Sequence, residues 1–295
     1  YTPAATGGFG GGGGGGFYSY MNSIATSQIS RVGSNGGNGG FGGGGGGGAS
    51  GSAGLHTTGG AGGFGGGGGG GYFGGAGGYG GGAGGGKVSF GVLGSGGDIF
   101  VQEGGHLIVG AGSLSGGTVA GGAAGNLSTS AQAGQALGSG IFIQGNQTVT
   151  FAPGTGDDLT ISDVIADQHG NGGTGNVEIS GAGTVHFAAA NSYVGTTTVD
   201  AGATLDIDAA GGLGTGAVTD NGILNVNAAT TFAGTVNDGG VLNVNAATTF
   251  AGAVTDSGVL NVNAVTTFAS TVTDNATLNV NAATTFANTV TDNGA

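Results

Sequence analysis

Residues 224–233 read LNVNAATTFA, and the phrase returns at 242–251, at 260–269 with Val265 replacing one alanine, and at 278–287. The spacing is 18 residues throughout residues 220–295, so Leu224, Leu242, Leu260 and Leu278 fall in step, as do Phe232, Phe250, Phe268 and Phe286. A unit this short cannot bury its own apolar face, so tandem copies must stack on one another. The side chains alternate as in strands. Leu224, Val226 and Ala228 share one face, with Asn225 and Asn227 on the other; Phe232, Gly234 and Val236 then oppose Thr231, Ala233 and Thr235. The expectation is two strands per copy with leucine, valine and phenylalanine inside. Each copy closes one rung, and equivalent residues lie about 4.8 Å apart along the axis. The predicted fold class is all-β, a parallel β-helix (β-solenoid) with an N-terminal glycine-rich segment. An amyloid-type solenoid of strand-turn-strand pairs is the alternative.

Upstream of the repeat, runs such as DIFVQ, HLIVG, QTVTFAP, LTISDVIA, NVEIS and TVHFAA are short and β-rich, and Gly, Asn and Asp separate them. Three segments are therefore expected: 1–87 glycine-rich, 88–200 an irregular β-helix, and 201–295 the regular 18-residue-repeat solenoid.

Of the 82 glycines, 44 lie in residues 1–87, where GGFGGGGGGG occurs unchanged at 7–16, 39–48 and 62–71. Fixing a backbone costs about 1–2 kcal/mol per residue, and a net hydrogen bond returns only about 0.5–1.5 kcal/mol. A lone run therefore stays disordered. Several equal runs side by side can bond as extended helices of three residues per turn, each about 31 Å long at about 3.1 Å per residue. A polyglycine II bundle is one expectation, edged by Phe9, Phe17, Phe41, Phe64, Tyr72, Phe73 and Tyr79; a flexible spacer is the other. Residues 17–32, FYSYMNSIATSQISRV, hold the apolar side chains able to pack there.

The formal charge is −13, with Arg31 and Lys87 the only fixed cations, and every acidic residue lies from Asp98 onward. Nucleic acid and anionic membrane surfaces would be repelled, so neither is an expected partner. The chain has no cysteine, which excludes disulfides and thiolate metal sites. No run of 18 apolar residues predicts a spanning helix. The chain starts at Tyr1 without an apolar signal stretch and stops at Ala295 within a repeat, so both ends are expected to be processed or truncated.

Residues 138–207, and above all AGTVHFAAANSYVGTTTVDAGATLDI from Ala182, resemble passenger domains of bacterial autotransporters of the type V secretion pathway and their autotransporter-associated β-strand repeat. Where that family has Tyr-x-Gly-Gly-Thr-Thr, this chain has Tyr193-Val194-Gly195-Thr196-Thr197, one glycine short. The resemblance implies a right-handed parallel β-helix displayed outside the cell or on its surface. It also implies membrane attachment only through a β-barrel further along the full-length protein.

Asp220, Asp238, Asp256, Asp274 and Asp292 recur at the repeat period, each at a turn. Stacked, each pair would repel by about 0.9 kcal/mol in water. The favoured reading is a turn residue screened by solvent; a Ca2+ ion along the column is the alternative, and no other cofactor is expected. Asn225, Asn243, Asn261 and Asn279, with Asn227, Asn245, Asn263 and Asn281, form two more columns suited to amide hydrogen bonds along the axis. Asp206 with Asp208 share a strand face and Asp157 with Asp158 are adjacent. Such pairs are what a glycosidase uses, yet the chain has no Trp to platform a sugar. His56, His106, His169 and His186 are scattered without metal or triad spacing, and no catalytic residue is predicted.

These features together predict a non-enzymatic extracellular structural or adhesive protein. Self-association, or contact with a host or neighbouring-cell surface, is the expected partnership. A filament subunit and a polysaccharide-active β-helix enzyme are the alternatives.

Overall fold

The computed structural model describes residues 6, 15, 18–22, 29–33, 35–39, 45–48, 57–63, 67–78, 84, 94–119, 136–168 and 173–294. Every element among them is a β-strand, and none of the described residues forms a helix long and apolar enough to cross a membrane. The chain divides into two compact units, residues 1–96 with 118–137 and residues 97–117 with 138–295.

The second unit is a parallel β-solenoid. Each 18-residue copy supplies three strands, as in Val236–Asp238, Val241–Val244 and Thr248–Phe250. These join a nine-stranded, an eight-stranded and a four-stranded parallel sheet respectively. Register is residue on equivalent residue: Leu224, Leu242, Leu260 and Leu278 pair in sequence, and so do Phe232, Phe250, Phe268 and Phe286. The phenyl rings stack with centroids 4.7, 4.8 and 5.0 Å apart. The predicted side-chain stack is therefore present.

The predicted two strands per copy are corrected to three. Phe232 to Val236 is not one strand, because Ala233, Gly234 and Thr235 form a corner between Thr230–Phe232 and Val236–Asp238. Small residues permit the bend. Three short faces then enclose a core wide enough for phenylalanine, leucine and two valines per rung, which a flat strand-turn-strand pair would not. Threonine also points inward, which the binary pattern did not suggest. Thr248 is buried, with its hydroxyl donating to the Ala246 carbonyl at 2.8 Å.

The same columns run back through rungs of unequal length. Leu159, Val185, Leu205 and Leu224 stack, as do Ile161, Phe187, Ile207 and Val226. On the nine-stranded sheet Val109, Phe151, Ile179 and Val199 stack in turn. Tyr193, the first residue of the family-like motif, is fully buried and shares a 2.7 Å hydrogen bond with Thr197 Oγ1. Nearby, Asp167 Oδ2 accepts the N–H groups of Gly175 at 2.9 Å and Val194 at 2.8 Å, and Asn191 bonds both Ile165 and Gly212. That motif is a corner of the coil, built to satisfy buried polar groups.

In the first unit, Tyr18–Asn22 pairs antiparallel with Ile29–Gly33, which places a hairpin in the predicted packing segment. Among the described glycine stretches the backbone hydrogen bonds repeat every third residue. Gly36 and Gly39 donate to Thr58 and Ala61, Gly45 and Gly48 to Gly67 and Gly70, and Gly59 and Gly62 to Phe73 and Ala76. Gly60, between donors aimed at 73 and 76, instead bonds Gly46. Successive N–H groups thus reach different neighbours, Gly45 bonding Gly67 while Gly46 bonds Gly37. Asn35 and Asn38, also three apart, accept from the Thr58 and Ala61 N–H groups at 2.8 and 2.9 Å. Phe9, Phe17, Phe41, Phe64 and Tyr79 lie outside the described residues, while Tyr72 and Phe73 pack edge to face.

Candidate functional site

The aspartate column is placed differently from the solvent-screened turn that the sequence suggested. Asp220, Asp238, Asp256 and Asp274 are buried, at 0–3% exposure, and only Asp292 is exposed. Each ends its strand with the side chain turned inward, at the position that Val199 fills one rung before Asp220. The turn role holds. Oδ1 of each accepts the N–H two residues on, from Gly222, Gly240, Gly258, Ala276 and Gly294, at 2.8–2.9 Å. Oδ2 of Asp220, Asp238 and Asp256 is buried without a hydrogen-bond partner. Burial pushes the Asp220 carboxyl up to about 6. It pushes Asp238 up to about 7, with the charges of Asp220 and Asp256 adding to the effect. Asp256 is raised as well, by burial first and then by Asp274.

On the outer face of the eight-stranded sheet the predicted asparagine columns are hydrogen-bonded ladders. Asn279 Nδ2 donates to Asn261, Asn261 to Asn243 and Asn243 to Asn225, each at 2.8 Å. Asn281, Asn263, Asn245 and Asn227 repeat the pattern at 2.9–3.1 Å. Both ladders end on carboxylates: Asn225 donates to Asp206 Oδ1 at 2.7 Å and Asn227 to Asp208 Oδ1 at 3.0 Å. The remaining oxygens face His186. Its Nδ1 is 2.8 Å from Asp208 Oδ2 and 3.6 Å from Asp206 Oδ2.

Among the described residues, His186, Asp206 and Asp208 are the one set of three His, Cys, Asp or Glu side chains within reach of a common ion. The aspartate column does not form such a set. Asp157 and Asp158 are exposed and do not join it, His106 is exposed elsewhere, and His56 and His169 lie outside the described residues. Sequence spacing hid the cluster because the rungs there differ in length. Aligning TVHF with TLDI and ILNV as equivalent strands would have set His186 over Asp206 and Asp206 over Asn225. Asp98 is exposed, and slight desolvation together with the charge and hydrogen bond of Asp163 raises its carboxyl.

Neither a family model, nor a curated protein, nor a solved structure matches the chain.

Proposed function

We propose that this chain is a non-enzymatic structural or adhesive protein that works outside the cell, as a stiff β-solenoid of the autotransporter-passenger kind. One observation carries the reading: the outer amides of successive rungs are bonded to one another along the axis, as in Asn261 to Asn243 to Asn225. Groups engaged in that way brace rung against rung. A load along the axis is then shared by backbone ladders, side-chain ladders and a stacked core. The resemblance of residues 138–207 to autotransporter passengers supports display outside the cell. The acidic charge supports a rod that repels nucleic acid and anionic membrane surfaces.

Electron microscopy of the purified full chain tests this reading. Isolated unbranched rods are expected, together with no turnover across a panel of glycans. Continuous fibres would replace the rod with a filament subunit. Glycan cleavage abolished by Asp206→Asn or Asp208→Asn would replace it with a polysaccharide-active enzyme.

A further inference from the structure

We propose that His186, Asp206 and Asp208 bind a divalent first-row transition ion, with Zn2+ as the probe. The side chains come from neighbouring rungs, His186 from Thr184–Phe187, Asp206 from Thr204–Ile207, and Asp208 from the residue after that strand. One ligand atom from each of the three side chains lies within 4.8 Å of those of the other two. In a tetrahedral zinc site, with bonds of about 2.0–2.1 Å, ligand atoms stand about 3.3 Å apart. The 2.8 and 3.6 Å spacings to His186 bracket that value.

The donor set selects the class of ion. One imidazole and two carboxylates suit zinc and its first-row neighbours, whereas calcium takes an all-oxygen shell. The carboxylates are also oriented for the task. Asn225 and Asn227 hold Oδ1 of Asp206 and Asp208 and leave each Oδ2 toward His186, as outer hydrogen bonds do around carboxylate ligands.

Charge supplies an independent reason. The two fixed cations of the chain, Arg31 and Lys87, both belong to the first unit, and every acidic residue belongs to the second. No Lys or Arg of the solenoid unit can neutralise Asp206 and Asp208. A divalent ion would do so, and it would tie two rungs together where the asparagine ladders begin. The three side chains are 27%, 18% and 36% exposed, which leaves a route in and open coordination positions toward solvent.

The test is calorimetric titration of the full chain, stripped with chelator, against Zn2+, with thermal melting alongside. One ion per chain is expected, with a melting midpoint that rises in excess Zn2+ and binding that excess Ca2+ does not displace. The Asp206→Asn/Asp208→Asn double variant places at both positions the residue found one rung later, at Asn225 and Asn227, so each amide ladder lengthens by one step and the fold is retained. It is expected to lose the ion and the thermal shift while keeping its β-type circular dichroism. His186→Asn is expected to do the same. As a readout on the unaltered chain, the His186 imidazole resonances should move on addition of Zn2+. No binding by the parent chain, binding unchanged in both variants, or an unmoved His186 resonance overturns the proposal.

Discussion

Asp238 stacks on Asp220 in the parallel ladder, both carboxylates are buried, and each keeps one oxygen without a partner. Ionised together in an apolar surrounding, they would repel far more strongly than at a solvated surface. Holding a proton on part of the column removes that repulsion.

Solenoid stability should therefore fall as pH rises. Asp220 and Asp238 are raised to about 6 and about 7 from an ordinary value of 3.8, so between those limits the folded chain binds more protons than the unfolded one. The contribution of these groups is complete below the ordinary value and is lost as pH climbs through 6 to 7. The melting midpoint is expected to be higher at pH 5 than at pH 8. Asp238→Asn keeps the acceptor for Gly240 and cannot ionise. Relative to the parent it should be more stable at pH 8 than at pH 5 by roughly 1–3 kcal/mol, because only the parent must ionise this buried carboxyl. Equal pH slopes for parent and variant would refute this.

The phenylalanine stack predicts a position-dependent cost. Phe250 is fully buried with a ring on each side, whereas Val265 is 62% exposed. Phe250→Ala should cost about 3–5 kcal/mol in denaturant unfolding, far more than Val265→Ala. A loss below about 1 kcal/mol would mean that the rings are not stacked as described.

The repeat made the rung and its register readable because Leu224 and Phe232 recur at one fixed interval, and parallel in-register pairing follows from stacking identical units. The number of faces was less readable. Strand alternation runs on through Ala233 and Gly234, and only the need to enclose a core shows that the chain bends there. The placement of the aspartates is hard to read for a related reason. A residue that suits a turn is expected to face water, yet Asp220 caps its turn through one oxygen while occupying the inward position of Val199. The His186 cluster depends on a register between rungs of unequal length, which no fixed spacing in the sequence expresses.

Asn243 accepts from Asn261 and donates to Asn225, so Asn243→Ala breaks a ladder twice. A loss of about 1–3 kcal/mol is expected, from two net hydrogen bonds of about 0.5–1.5 kcal/mol each. Val265, 62% exposed where other copies carry alanine, provides the control. Val265→Ala should change stability by less than about 0.5 kcal/mol. Melting curves of the two variants at one pH decide the point, and a neutral Asn243→Ala would mean that the ladder adds no strength.

In the glycine-rich unit, two neighbouring stretches predict opposite outcomes for the same substitution. Gly60 is buried, and a Cβ built on it would run into the carbonyls of Gly37 and Gly36. Gly47 is exposed, and the nearest atom to its Cβ would be the Gly70 carbonyl at 3.6 Å, an ordinary contact. The chain already follows this rule at Ala76, which is exposed beside buried Gly75. Gly60→Ala must push a strand of backbone aside and break the bonds from Gly60 to Gly46 and from Gly69 to Gly60. Amide exchange at those positions should accelerate at least about tenfold, the equivalent of one lost net hydrogen bond. Gly47→Ala removes only freedom from the unfolded chain, which slows exchange slightly if it acts at all. Equal exchange in the two variants would mean that the described stretches are not packed against one another, and the three-residue hydrogen-bond pattern would lose its physical basis.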